Sequence, residues 1–245
     1  MRYQFITCRV LQREAYHCAA KSQNEVDIVL LPQGLHNTPD KLRSEVQQKI
    51  NNTTDVEGNT YDATLLGYGL CSNGIVGLTS TIPLVVARAH DCITLILGSK
   101  EKYQQYFDSH RGVYWYTPGW INTNTQPGPD RYNKTLKEYQ DKYGPDNAEY
   151  LMTMEQNWMK EYSWATYIDW NLPNNQKEID YTEGCAKFMG WNFETIKGDP
   201  ALMQNLFDGN WNENDFLVVP PHHQIAEDLT KKSIICSCCK NSKKE

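Results

Sequence analysis

Between residues 5 and 107 the chain alternates short apolar runs with longer amphipathic ones, and this rhythm restricts its fold more than any other feature. FITCRV (5–10) predicts a buried strand and LQREAYHCAAK (11–21) a helix. VDIVLLP (26–32) is β-branched and closed by proline, a strong strand pattern. Asn37-Thr38-Pro39-Asp40 then opens a helix in which Leu42, Val46 and Ile50 recur at four-residue spacing. YDATLLGYG (61–69) predicts a third strand, SNGIVGLTS (72–80) a short helix and IPLVVARA (82–89) a fourth strand. CITLILGSKEKYQQYF (92–107) reads as a helix broken at Gly98-Ser99. Strands separated by helical segments pair in parallel, because a tight hairpin cannot join parallel neighbours. The expected class is therefore α/β, a Rossmann-like, mostly parallel sheet flanked by helices.

The middle of the chain reads differently. GVYWYTPGWINTNTQPGPD (112–130) is aromatic and turn-rich without a clean period. Residues 134–170 have long helical character broken at Gly144-Pro145, with Leu151, Met154, Trp158 and Met159 expected on one packed face. A helix, strand and turn are expected over 179–199, a helix over 201–211, and a final strand in DFLVVPPHHQI (215–225). The segments expected are an α/β half (1–111), an aromatic and helical insertion (112–178), a returning α/β segment (179–230) and a flexible Cys/Lys-rich tail (231–245).

Charge and composition exclude several functions. A formal net charge of -6 with pI near 5.6 gives no basic face for nucleic acid. Hydrophobic content of 40% with seven Trp and fifteen Tyr is that of a folded chain rather than a disordered one. Neither a membrane span nor an N-terminal secretion signal is recognisable, so a cytoplasmic location and no membrane partner are expected. Eight cysteines are many for a reducing compartment, which raises metal binding or thiol chemistry above disulfides.

In open parallel sheets ligands sit beyond the carboxyl ends of the strands. Cys71 follows the third predicted strand, and His90 and Cys92 follow the fourth, in ARAHDC (87–92). Two thiolates and an imidazole there make a three-ligand metal site with one open position, and Cys8 or Cys185 can supply a fourth. Asp91 is placed either to orient the imidazole or to cap the next helix. Each cysteine read alone is equally a small buried hydrophobe. Arg88, and Arg9 beside Cys8, bring positive charge that favours thiolate or an anionic ligand. The run YWYTPGW supplies Tyr114, Trp115, Tyr116 and Trp120 as ring faces for a flat ligand, or as a loop plugging the sheet. In the tail, Cys236, Cys238 and Cys239 form a Cys-x-Cys-Cys cluster that His222 and His223 precede, a second place for metal or redox chemistry.

GYGLCSNGIVGL, PLVVARAHDCITLILGS and YWYTPGW together resemble the signature of a prokaryotic family of unknown function, often encoded beside corrinoid-dependent methyltransferases. The resemblance runs from the first strand to DFLVVPP. It departs at Ala87, where PRAHDC would be the family pattern, and it does not include the Cys-x-Cys-Cys tail. It implies a context of corrinoid-dependent methyl transfer or one-carbon metabolism, with a corrinoid protein or methyltransferase as partner. A local similarity also links His90-x-Cys92 with Cys185 to zinc-dependent methyltransferases of the uroporphyrinogen-decarboxylase-like group, whose zinc keeps a substrate thiol nucleophilic. The expectation is a metal-binding protein, with zinc, or alternatively an iron–sulfur cluster, on Cys71, Cys92, His90, Cys8 and Cys185, and with a corrinoid available through a partner. The expectation of another class is a non-enzymatic carrier or chaperone for a corrinoid, metal or cluster.

Overall fold

The computed structural model describes residues 1–173, 175–228, 230 and 233–239. They form two compact units, residues 1–103 with 199–245 and residues 104–198. The stretch 112–178, expected as an insertion, lies wholly within the second unit.

The first unit is α/β with a mostly parallel sheet. Its first elements are β1 (Arg2–Cys8), α1 (Gln12–Ala19), β2 (Glu25–Leu31), α2 (Pro39–Ile50), β3 (Ala63–Gly67) and β4 (Leu84–Ala87). Strand order is β2-β1-β3-β4, all parallel, closed by an antiparallel edge strand further along the chain. Phe5, Ile6, Leu65, Leu66, Val85 and Val86 are all fully buried. Because neighbouring residues on a strand face opposite sides, both faces of this sheet are covered. That explains apolar runs without alternation. Leu42, Val46 and Ile50 of α2 bury completely, each worth roughly 1.5–3 kcal/mol of apolar transfer.

Residues 72–80, expected as a helix, form a succession of turns up to Gly77 and then an isolated antiparallel bridge from Thr79 to Gln224. Cys71, Ser72 and Asn73 hold φ of 47°, 55° and 65°, a left-handed conformation that no right-handed helix can incorporate. The β3–β4 connection is still long enough to cross between parallel strands without a helix. The helix expected over 92–107 is split into α3 (Ile93–Leu97) and α4 (Lys100–Ser109). Gly98 ends α3 in the left-handed region at φ 83°, as the Gly98-Ser99 break predicts.

The second unit carries its own parallel sheet. It contains β5 (Val113–Tyr116), α5 (Pro118–Thr123), α6 (Pro129–Tyr143), α7 (Pro145–Glu155), β6 (Trp164–Asp169), α8 (Asn175–Met189) and β7 (Asn192–Lys197), with strand order β5-β6-β7. Two of these strands correct the sequence reading. β5 lies in the stretch without a period because Val113, Trp115 and Tyr116 are all buried, so alternation is lost. β6 ends the segment read as helical, and its ATYI core is likewise buried throughout. The helical face expected from Leu151, Met154, Trp158 and Met159 is also revised. α7 stops at Glu155, and Met154 and Trp158 are exposed; Met159 buries as expected, but its companions are Ala148 and Met152.

The chain returns to the first unit through α9 (Ala201–Asp208), whose Phe207 meets Phe5 edge-on at 4.6 Å. β8 (Phe216–Val219) pairs antiparallel with β4 and is the sheet's fifth strand. It is not the last: β9 (His223–Glu227) and β10 (Ile235–Cys239) follow as an antiparallel pair, so the cysteines of the tail lie on a strand. Lys231, Lys232 and residues 240–245, read as part of a flexible tail, lie outside the described residues. Among the described residues no helix is long and apolar enough to cross a membrane.

Candidate functional site

β1 connects to β2 on one side of it, and the chain then passes back to place β3 on the other. The strand order therefore reverses direction between β1 and β3, the kind of position beyond whose carboxyl ends open α/β sheets bind ligands. Thr7 of β1 is in register with Gly67 of β3, so Cys8 is the next residue out on this edge. Past β3 the chain continues beside the segment that follows β4. Leu70 N–H donates to Ala89 O at 2.8 Å and Cys71 N–H to His90 O at 3.0 Å. Gly69 makes this approach possible: a Cβ there would lie 2.6–2.8 Å from the backbone of Asp91. The outcome is that Cys8, Cys71 and Cys92 gather at the ends of three adjacent strands.

Their electrostatics reflect the gathering. Cys8 is buried, and Cys71 and Cys92 are half-buried as residues. Desolvation is the leading influence on all three thiols, pushing Cys71 up to about 12, Cys92 well up and Cys8 up as well. Asp91 and Cys8 raise Cys71 further, and Cys71, Asp91 and Cys8 raise Cys92. Opposing this, backbone N–H groups donate to sulfur: those of Gly69 and Cys92 to Cys71, and that of Val10 to Cys8. Such amides lower the cost of holding charge on sulfur when a thiolate forms. All three cysteines are free thiols.

Tyr68 completes the cluster; it lies inside GYGLCSNGIVGL, but its residue type alone gave no sign of a role there. The residue is 3% exposed and its hydroxyl has no hydrogen-bond partner among the described residues. After burial, the influences on that phenol are Cys8, Cys71 and Cys92, which together raise its pKa strongly. A buried hydroxyl left unpaired costs about 1–3 kcal/mol, so its retention beside three thiols marks a place where a partner belongs. The left-handed run Cys71-Ser72-Asn73 stores further strain at the same point, roughly 1–2 kcal/mol per residue.

The other predicted residues are placed as follows. His90 is exposed, and its carbonyl rather than its ring meets Cys71. Asp91 accepts from Ile93 N–H at 3.0 Å and from Tyr103 Oη at 2.9 Å, so it holds the turn that leads into α3, one residue ahead of the helix N-cap Cys92. Arg88 donates to Glu213 O at 2.9 Å and also reaches Ser233 Oγ and Ile235 O. With His90 and Lys100 it lines a cleft of about 630 Å³. Arg9 is exposed. Cys185 belongs to the second unit, where it is 1% exposed and hydrogen-bonds with Tyr181 and Tyr116. Among the described residues, no three His, Cys, Asp or Glu side chains stand in metal-ligating geometry.

The aromatic run lies in the second unit's core. Tyr116 is fully buried and donates to Pro127 O at 3.0 Å, and Tyr114 donates to Gln126 Oε1 at 3.2 Å. Tyr114 packs against Tyr116, Trp158, Tyr162 and Trp191, and Trp115 against Tyr106. Trp120 N–H is capped by Thr117 Oγ1 at 3.1 Å. The ring faces that a flat ligand would use are thus engaged with neighbouring rings at Tyr114 and Trp115.

No curated protein and no solved structure matches the chain. A family model described as "Protein of unknown function (DUF1638)" matches residues 30–207, which include β3, β4, Cys71, His90 and Cys92. With more than two thirds of its length matched, the chain belongs to the DUF1638 family.

Proposed function

We propose that the carboxyl edge of the central sheet is a thiolate metal centre, with Cys8, Cys71 and Cys92 as its ligands and zinc as its metal. The observation that carries this reading is the convergence of three free, desolvated thiols on one unpaired, buried phenol. Three soft donors suit zinc, with the fourth position left for Tyr68 or a substrate thiol. Among the described residues these thiols do not stand in ligating geometry, so binding would require the cysteine side chains to rearrange. A zinc-bound substrate thiol stays nucleophilic at neutral pH, which fits a thiol-activating component in methyl transfer or one-carbon metabolism. Held by Cys8, Cys71 and Cys92, the ion would supply Lewis acidity that keeps a substrate thiol deprotonated and ready to accept a methyl group, the methyl donor departing with the bonding electron pair. A corrinoid would reach such a site on a partner protein.

The all-thiol donor set and the amide-to-sulfur hydrogen bonds favour a second reading, an iron–sulfur cluster held by the same cysteines. Anaerobic titration with zinc against a chromophoric chelator tests the first reading. One equivalent is expected to bind the wild-type chain, and affinity should fall at least about tenfold in each of Cys8→Ser, Cys71→Ser and Cys92→Ser. Equal affinity in all variants would refute the site. A brown protein that binds iron and sulfide but not zinc would select the cluster. With zinc bound, transfer of methyl from methylcobalamin to a thiol reads the activity, and absence of turnover selects the carrier role.

A further inference from the structure

The tail cysteines lie on β10, opposite β9, and strand register sorts them. Cys239 pairs with His223, Cys238 with Gln224 and Cys236 with Ala226. Directly opposed residues share a face, and successive residues alternate, so Cys239 and Cys238 point to opposite sides of the ribbon. The hydrogen bonds agree: Gln224 Nε2 donates to Cys238 Sγ at 3.4 Å, and Cys236 Sγ donates to Glu227 O at 3.8 Å. Cys-x-Cys-Cys is therefore not arranged as a chelate.

Cys239 has a different neighbour. Its Sγ lies 3.3 Å from His223 Nε2, and the other ring nitrogen, Nδ1, lies 3.2 Å from Pro221 O. A carbonyl only accepts, so this contact sets the proton on Nδ1 and leaves the Nε2 lone pair facing the thiol. Nucleophile, base and an acceptor that orients the base thus stand in sequence, on an exposed cysteine.

We propose that Cys239 is a nucleophilic thiol with His223 as its general base, and that it accepts reversible S-thiolation from low-molecular-weight disulfides. The Cys239 S–H proton passes to His223 Nε2, and the thiolate attacks one sulfur of the disulfide. The S–S bond breaks as the Cys239 mixed disulfide forms. The departing thiolate takes the proton back from His223. Cys239 is oxidised and the departing sulfur reduced, so the exchange needs no other redox partner. The site is separate from the strand-end thiols, whose raised pKa values make them poor nucleophiles at neutral pH.

The test is made on the full chain with oxidised glutathione and with an aryl disulfide that releases a coloured thiolate, the modified cysteine being assigned by peptide mass spectrometry. Cys239 should react first, at least about tenfold faster than Cys236 or Cys238. His223→Asn should slow Cys239 at least about tenfold near pH 7. His222→Asn should leave the rate unchanged, since His222 sits at φ 66° and asparagine accepts that conformation. The wild-type comparison among the three cysteines stands even if a variant disturbs the hairpin. Equal rates at the three cysteines, or an unchanged Cys239 rate in His223→Asn, would overturn the proposal.

Discussion

Glu14 is buried in α1 with one carboxylate oxygen unpaired, and burial lifts its pKa from 4.5 to about 7. The unfolded chain therefore ionises this group first, and stability falls as pH rises through the window between those values. Glu14→Gln removes the penalty. Urea unfolding is expected to show the variant more stable at pH 8 by up to about 3 kcal/mol, with the gain gone below about pH 4. An equal gain at both pH values would contradict this. Tyr68→Phe is the corresponding test beside the thiols. Deleting an unpaired hydroxyl should stabilise the metal-free protein by about 1 kcal/mol, read from the same denaturation curves, while weakening zinc binding. Neither residue was visible as special in the sequence, because an unpaired oxygen is a property of the packed neighbourhood and not of residue type.

At the scale of elements, the site depends on how two loops meet beyond β3 and β4. Gly69→Ala would push a methyl group into the backbone of Asp91, separating Cys71 from Cys92. A loss of about 1–3 kcal/mol in thermal or urea unfolding is expected, together with weaker zinc binding than a fold defect elsewhere would cause. Wild-type stability and affinity in this variant would show that the close approach is dispensable. This edge was legible from the sequence: three strands with β-branched, apolar runs put Cys71, His90 and Cys92 at adjacent ends. The roles within it were not all legible. Asp91 and His90 follow one another in the chain, but after β4 Asp91 turns to bond Ile93 N–H and Tyr103 while His90 is left exposed. The left-handed turn at Cys71-Ser72-Asn73 stands where the sequence predicts a strand end followed by a helix from Ser72, since none of those residues demands φ above zero.

At the scale of the molecule, the second parallel sheet was the largest part of the fold that the sequence hid. VYWY and WATYID lack alternation because a parallel strand covered on both faces has no polar side to show. The four parallel strands of the first unit escaped this ambiguity through flanking Pro, Gly and capping signals, whereas β10 fell in a stretch expected to be a flexible tail. The cysteines likewise sort by unit: Cys8, Cys71 and Cys92 gather at one sheet edge, and Cys185 packs in the other unit's core. Since the edge thiols are held protonated at neutral pH, zinc must displace a proton from each. Raising pH by one unit should strengthen the apparent zinc affinity by up to about a thousandfold for three released protons, measured by chelator competition. A pH-independent affinity would mean that the thiols are not the ligands.

X-ray absorption at the zinc edge of the metal-loaded full chain tests the proposed centre most directly. Three sulfur scatterers at about 2.3 Å are predicted, with the sulfur count reduced in Cys71→Ser. A first shell of nitrogen and oxygen alone, or a spectrum unchanged in Cys71→Ser, would contradict a thiolate centre at the strand ends.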